Sequence, residues 1–252
     1  VTTLLLLRHG RTAANVSGVL AGWTPGVGLD ETGVGQAATA AARLAGLPLQ
    51  AVVTSPLDRC RQTSEAVCAG RELKPTADER FGECRYGDWT GRPLKELSRD
   101  PLWKVVQQHP SAAVFPGPEG EALADTQARA LSAVRDWNAK LGQDAVWLVC
   151  SHGDVIKSIL ADALGLHLDL FQRLVVDPCS ISVVRYTETR PFVVRVNDTG
   201  GDLAGVAGSA GSKRSAGSKR SAGSERSAGS ERRRRRPALD SDAVIGGGAG
   251  ND

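Results

Sequence analysis

Four consecutive leucines, Leu4–Leu7, set between Thr2-Thr3 and Arg8-His9-Gly10, constrain this 252-residue chain more than any other feature. Side chains alternate between the two faces of a strand, so four apolar residues in a row are all buried only where both faces are covered. That requirement points to the middle of a mainly parallel sheet with helices on each side. Such a strand hands the chain to the carboxyl edge of the sheet, where open α/β folds bind their ligands. A guanidinium, an imidazole and a glycine that permits a tight turn arrive there together. Thr12 and Asn15 follow with short polar side chains. Arginine presents a planar fork to phosphate oxygens, so the expected ligand is anionic and phosphorylated.

The same alternation continues downstream. A glycine-rich loop spans 16–29 and holds Trp23. The spacing then predicts a helix over 32–47, a buried strand over 49–54 and a helix opening at Ser55-Pro56, with Ser55 as its cap and Pro56 in its first position. A short strand is expected near 74–77, an ordered loop over 80–91, and interrupted helix over 93–108. Residues 109–120 read as a surface loop and 121–141 as the longest helix, with Leu123, Ala130, Leu131, Val134 and Trp137 on one face. Strand 145–150 ends in Ser151-His152-Gly153 and is followed by helix 154–164, then by two strands over 180–186 and 192–197. The expected fold is a three-layer α/β/α sandwich whose central sheet is mainly parallel, with the last hairpin as an antiparallel edge.

Composition changes near residue 200. Residues 1–200 carry 21 basic and 22 acidic side chains, whereas 201–252 carry 10 and 6. The tail contains four tandem six-residue units, SAGSKR twice and SAGSER twice, and then Arg233–Arg236. Without large apolar side chains these repeats cannot offset chain entropy, so 1–199 is expected to be the folded domain and 200–252 a disordered tail. Five cysteines, odd in number and without a C-x-x-C pair, suggest reduced thiols and a cytoplasmic setting. The apolar run at the start is too short for a signal peptide, and none reaches the ~18 residues of a membrane span. Nucleic acid is not an expected partner; only the Arg233–Arg236 run could attract it.

Three strand ends thus carry groups suited to phosphate: Arg8-His9, Ser55 to Arg59, and His152-Gly153 ahead of a helix whose N–H groups favour an anion. Two arginines and two histidines converging there would hold a phosphoryl group, one imidazole serving as nucleophile. An acid must protonate the departing oxygen, and Glu83, beside Trp89 in the ordered loop, is the best candidate. Asp88, Glu119 and Glu121 are the fallbacks. His109 and His167 read as ordinary surface or packing residues.

Arg8-His9-Gly10-Arg11-Thr12-Ala13-Ala14-Asn15 resembles the R-H-G-x-T-x-x-N opening of the histidine phosphatase superfamily, in its phosphoglycerate mutase-like branch. Gly22-Trp23 through Leu29 and Gly33, Ser55-Pro56-Leu57-x-Arg59-x-x-x-Thr63, Glu83 with Gly87-Asp88-Trp89-x-Gly91, and Ser151-His152-Gly153 are similar to its later blocks, in the same order. The resemblance implies that His9 is phosphorylated and that Arg8, Arg59 and His152 hold the phosphoryl oxygens. Asn15 and the Gly153 N–H would assist, Glu83 would act as acid and then base, and Thr12, Gly22 and Trp23 would touch substrate more weakly. It implies no metal and no organic cofactor.

Mutases of this branch carry an adjacent arginine pair in the segment after the acid loop. Here residues 90–121 offer Arg92, Lys95, Arg99 and Lys104 without such a pair. The reading is therefore a phosphatase acting on a small phosphorylated metabolite, ahead of a phosphoglycerate mutase-type enzyme and of a silent phosphoprotein-binding module. A homodimer is left open.

Overall fold

The computed structural model describes residues 1–200, so the repeats and the arginine run lie outside the described residues. Six strands form one sheet in the order β3-β2-β4-β1-β5-β6: β1 (Thr2–Arg8), β2 (Ala51–Thr54), β3 (Thr76–Ala77), β4 (Val146–Ser151), β5 (Ile181–Tyr186) and β6 (Pro191–Asp198). The first four run parallel, while β5 is antiparallel to β1 and β6 to β5. The helices are α1 (Ala13–Ser17), α2 (Glu31–Leu44), α3 (Asp58–Cys68), α4 (Leu94–Leu97), α5 (Pro101–Gln108), α6 (Leu123–Leu141) and α7 (Gly153–Ala163). No helix among the described residues is long and apolar enough to cross a membrane.

The leucine run meets the requirement it imposes. Leu4 and Leu6 pack with Trp147 and Val149 against α6 and α7, through Ala130, Val134, Ile156 and Leu160. Leu5 and Leu7 pack on the opposite face with Leu148 and Cys150 against Ala37, Ala40 and Leu44 of α2 and Cys60 and Val67 of α3. A third cluster gathers around Tyr86, Trp89, Phe115, Leu123 and Phe171. All five cysteines are buried thiols.

Several boundaries differ from the sequence expectation. Helix α3 begins at Asp58, with Leu57 rather than Ser55 in the cap position. Ser55 follows β2 directly and extends its ladder, its N–H donating to the Cys150 carbonyl, so Pro56 turns the chain rather than opening the helix. Residues 109–120 are more than surface loop, because Ala113 and Phe115 belong to the third cluster and Pro110 is buried. Short helix α1 takes in the first two residues of the stretch read as loop from 16; its signal is a capping box in which Thr12 and Asn15 satisfy each other's backbone N–H groups.

Burial on both faces has a measurable consequence. Leu5→Ala and Leu6→Ala, which empty opposite faces, should each lower stability by about 2–5 kcal/mol in chemical denaturation. A negligible loss from either would show that its face is not packed.

Candidate active site

Strands β2, β4 and β1 are neighbours and parallel, so their carboxyl ends lie at one edge of the sheet. Arg8 pairs with Ser151 and Thr54 with Cys150 in the ladder. The residues that follow, His9, Ser55 and His152, are therefore delivered side by side. The His9 N–H continues the ladder to the Ser151 carbonyl at 3.0 Å.

His9 has one possible tautomer in this setting. Its Nδ1 lies 2.7 Å from the Gly10 carbonyl oxygen, which can only accept, so Nδ1 carries the proton. Its Nε2 in turn accepts from Arg59 Nε at 3.3 Å. Two separate contacts thus place the lone pair on Nε2. Burial, reinforced by Arg59 and Arg8, holds the imidazole well below its ordinary range, so it stays neutral.

Arg59, on the first turn of α3, donates Nη2–H to the Gly22 carbonyl at 2.9 Å. Its Nη1 is buried and has no hydrogen-bond partner among the described residues. An unsatisfied guanidinium nitrogen in a closed site is costly, and an anion that accepts from it removes the cost. Arg8 is fully buried and donates to the Val176 carbonyl at 2.8 Å. His152 caps α7 without a side-chain bond to that helix, which leaves the Gly153 N–H at an open helix N-terminus. The His9 and His152 ring centroids are 5.2 Å apart. His152 Nε2 meets Ser55 Oγ at 2.7 Å, and burial followed by Arg59 keeps this imidazole neutral as well.

Glu83 joins them from the loop. Its Oε2 is 3.8 Å from His152 Nδ1, and Oε1 accepts from the Cys84 N–H at 3.0 Å. Burial, with the Asp154 carboxylate adding to it, raises the Glu83 carboxyl to about 7 against the pull of Arg59. The loop is fixed from two sides. Trp23 Nε1 donates to the Glu83 carbonyl at 2.6 Å, and Arg129 of α6 donates to the carbonyls of Arg80, Gly82 and Glu83. Gly82 must be glycine for this packing, since a Cβ there would lie 2.3 Å from the Trp23 ring.

Arg8, His9, Arg59, Glu83, His152 and Gly153 are thus brought together. Other residues named from the sequence support them. Gly22 orients Arg59 through its carbonyl, and Trp23 braces the Glu83 loop while Arg85 stacks on its ring at 4.0 Å. Thr12 and Asn15 are joined in the α1 cap, and the Asn15 amide nitrogen makes no hydrogen bond among the described residues. The fallback acids lie elsewhere. Asp88 and Glu119 are exposed, and Glu121, although burial raises its carboxyl, is held below the usual range by its Arg129 pair. His109 and His167 are exposed, each beside Asp169.

Sequence reasoning missed Ser55 as a partner of His152, Cys60, whose Sγ lies 3.4 Å from His152 Nε2, and the Arg129 brace. It also missed Asp154 and Lys157. Their signal was available: two charges at i and i+3 in GDVIKSILADA, a segment otherwise apolar enough to be enclosed.

A family model for the histidine phosphatase superfamily (branch 1) matches residues 4–199. A curated relative from Yersinia enterocolitica, named "Probable phosphoglycerate mutase GpmB", is 29% identical over 206 residues, covering 80% of this chain and 93% of the relative. Among solved structures, Bacillus stearothermophilus YhfR aligns with a TM-score of 0.72 at 29% identity, over 79% of this chain and 98% of that one. A mycobacterial glucosyl-3-phosphoglycerate phosphatase aligns with a TM-score of 0.70 at 25% identity, over 78% and 98%.

The raised Glu83 carboxyl couples stability to pH. Its folded value lies above the unfolded one, so its contribution is complete below about 4.3 and is lost as pH rises through about 7. Glu83→Gln does not titrate. Its stability relative to the parent should therefore increase between pH 5 and pH 8, by on the order of 2–3 kcal/mol. A difference independent of pH in urea denaturation would show that the folded protein does not hold this proton.

Proposed function

The chain belongs to the histidine phosphatase superfamily (branch 1), and on that footing we propose that it is a phosphomonoesterase acting on a small phosphorylated metabolite through a phosphohistidine on His9. The observation that carries this reading is the His9 ring, neutral, with Nδ1–H committed to Gly10 and the Nε2 lone pair beside the unsatisfied guanidinium of Arg59.

Substrate enters as a phosphate monoester. Arg59 and Arg8, with the open N-terminus of α7 at Gly153, hold its phosphoryl oxygens, and the uncommitted amide of Asn15 adds a donor. Arg59 Nε–H turns from His9 Nε2 to a phosphoryl oxygen, which frees the lone pair for in-line attack on phosphorus. As the N–P bond forms and the P–O bond breaks, charge builds on the equatorial oxygens, where the guanidiniums stabilise it. Glu83 gives its proton to the departing alkoxide. In the second half it takes a proton from water, the oxygen attacks phosphorus, and the P–N bond breaks to release phosphate and neutral His9.

Hydrolysis is preferred over phosphomutase chemistry because the covering segment lacks an adjacent arginine pair to grip a substrate carboxylate. Its cations Arg92, Lys95, Arg99 and Lys104 are all exposed, while Leu97, Val106 and Phe115 point into the third cluster. The relative named as a mutase keeps the phosphomutase as the second reading.

The leaving group tests the roles directly. An alkyl alkoxide needs the proton, whereas nitrophenolate departs without it, so Glu83→Gln should slow the phosphorylation step roughly 10²–10⁴-fold on alkyl phosphates. The same step on p-nitrophenyl phosphate should suffer far less. Equal losses on both would remove Glu83 as the acid. In the parent enzyme, isomerisation of 3-phosphoglycerate outrunning phosphate release, with the bisphosphate as primer, would establish the mutase instead.

A further inference from the structure

Behind the Glu83 loop lies a charged cluster that the reaction above does not use. Asp154, Lys157 and Tyr86 are only 1%, 3% and 0% exposed. Tyr86 Oη–H donates to Asp154 Oδ2 at 2.7 Å. Lys157 Nζ stands 3.8 Å from Asp154 Oδ1 and donates to Gln172 Oε1 at 3.0 Å. The two charges are one turn apart on α7, whose neighbouring positions Val155, Ile156, Ile159 and Leu160 are apolar and enclosed. An ion pair buried in this way adds little to stability, because desolvating both charges offsets their attraction. Folding alone does not account for its presence.

Its position does. Asp154 sits two residues beyond His152, whose Nδ1 faces Glu83. Tyr86, which grips it, sits three residues beyond Glu83 on the loop. The tyrosine O–H, the lysine ammonium and the amino end of α7 hold the Asp154 carboxylate in place as a fixed anion.

Of the other charged groups around Glu83, the anions Glu121 and Asp177 stand beside Arg129 and Arg8 respectively, and the groups that bear on Glu83 most directly are cationic or neutral. Arg8 comes from β1 and Arg59 from α3; Arg129 of α6 holds the loop carbonyls, Lys157 stands behind Asp154, and His9 and His152 are uncharged. This creates a conflict. The guanidiniums needed to bind a phosphate dianion also favour the Glu83 carboxylate, and a carboxylate has no proton to give. A second anion nearby reverses that pressure.

We propose that Asp154, clamped by Tyr86 and Lys157, is a positioning residue whose charge keeps Glu83 in its proton-carrying form at neutral pH. The proposal rests on the reading of Glu83 as the general acid. Burial and Asp154 are indeed the two largest influences acting against Arg59 and Arg8 at this carboxyl.

Asp154→Asn keeps an acceptor for Tyr86 and removes the charge. Two readouts apply: the pH profile of the phosphorylation burst on an alkyl phosphate, and the titration of the Glu83 carboxyl carbon followed by NMR in a His9→Ala background. Both the alkaline limb and the NMR midpoint should move to lower pH by about one unit or more. The rate at low pH, where Glu83 is protonated in either protein, should be preserved, and the KM little changed. Lys157→Gln removes the counter-charge and should move both to higher pH. A uniform loss at every pH, or an unmoved midpoint, would overturn the proposal. Should Asp154→Asn fail to fold, Lys157→Gln carries the test alone, and the absence of an alkaline move overturns it. Glu83→Gln separates the two levels. If the alkaline limb survives in that variant, the acid assignment fails and this inference with it. If Glu83→Gln loses the limb while Asp154→Asn leaves it in place, only the role of Asp154 fails.

Discussion

Burial of Leu4–Leu7 on both faces of the sheet is the constraint on which the other features depend. It commits the protein to helices on each side and leaves the strand ends as the outlet for polar chemistry. Because β2, β4 and β1 are adjacent and parallel, the residues after Thr54, Ser151 and Arg8 emerge together. The site is a consequence of strand order. No single loop builds it, and its parts come from widely separated stretches of sequence.

The electrostatics of that outlet favour an anion. Two buried guanidiniums face two imidazoles that burial and those same cations keep neutral. The Arg59 Nη1 has no hydrogen-bond partner among the described residues. The phosphoryl dianion of the proposed reaction would answer all of these at once: it would supply acceptors, offset the positive charge and present an electrophile to a ring whose lone pair is already oriented. The same cations favour an ionised Glu83, and the buried Asp154–Lys157 pair, with Tyr86, is the counterweight we propose.

How much was legible in the sequence follows from how local each signal is. The strand through Leu4–Leu7, its Arg8-His9-Gly10 ending, Ser151-His152-Gly153 and the Glu83 loop could be read because residue type and neighbours carry the information within a few positions. The alternation of strands and helices gave the three layers. Contacts across the fold could not be read in this way. That Ser55 would bond His152 rather than cap α3 depends on the ladder reaching one residue further along β2. That Gly22 would serve Arg59 and Trp23 would brace Glu83 depends on the path of the loop over 18–29. The third cluster, drawn from residues 20 to 171, has no periodic signature, which is why 109–120 looked like surface loop.

The central claim is that the His9 Nε2 atom attacks phosphorus. Rapid mixing of the enzyme with a ³²P-labelled monoester, followed by quenching within one turnover, tests it most directly. Label should remain on the protein through an alkaline quench, be lost in acid as expected of a phosphorus–nitrogen bond, map to the peptide containing His9 and be absent from His9→Ala. An acid-stable label, or substantial turnover by His9→Ala, would contradict the account.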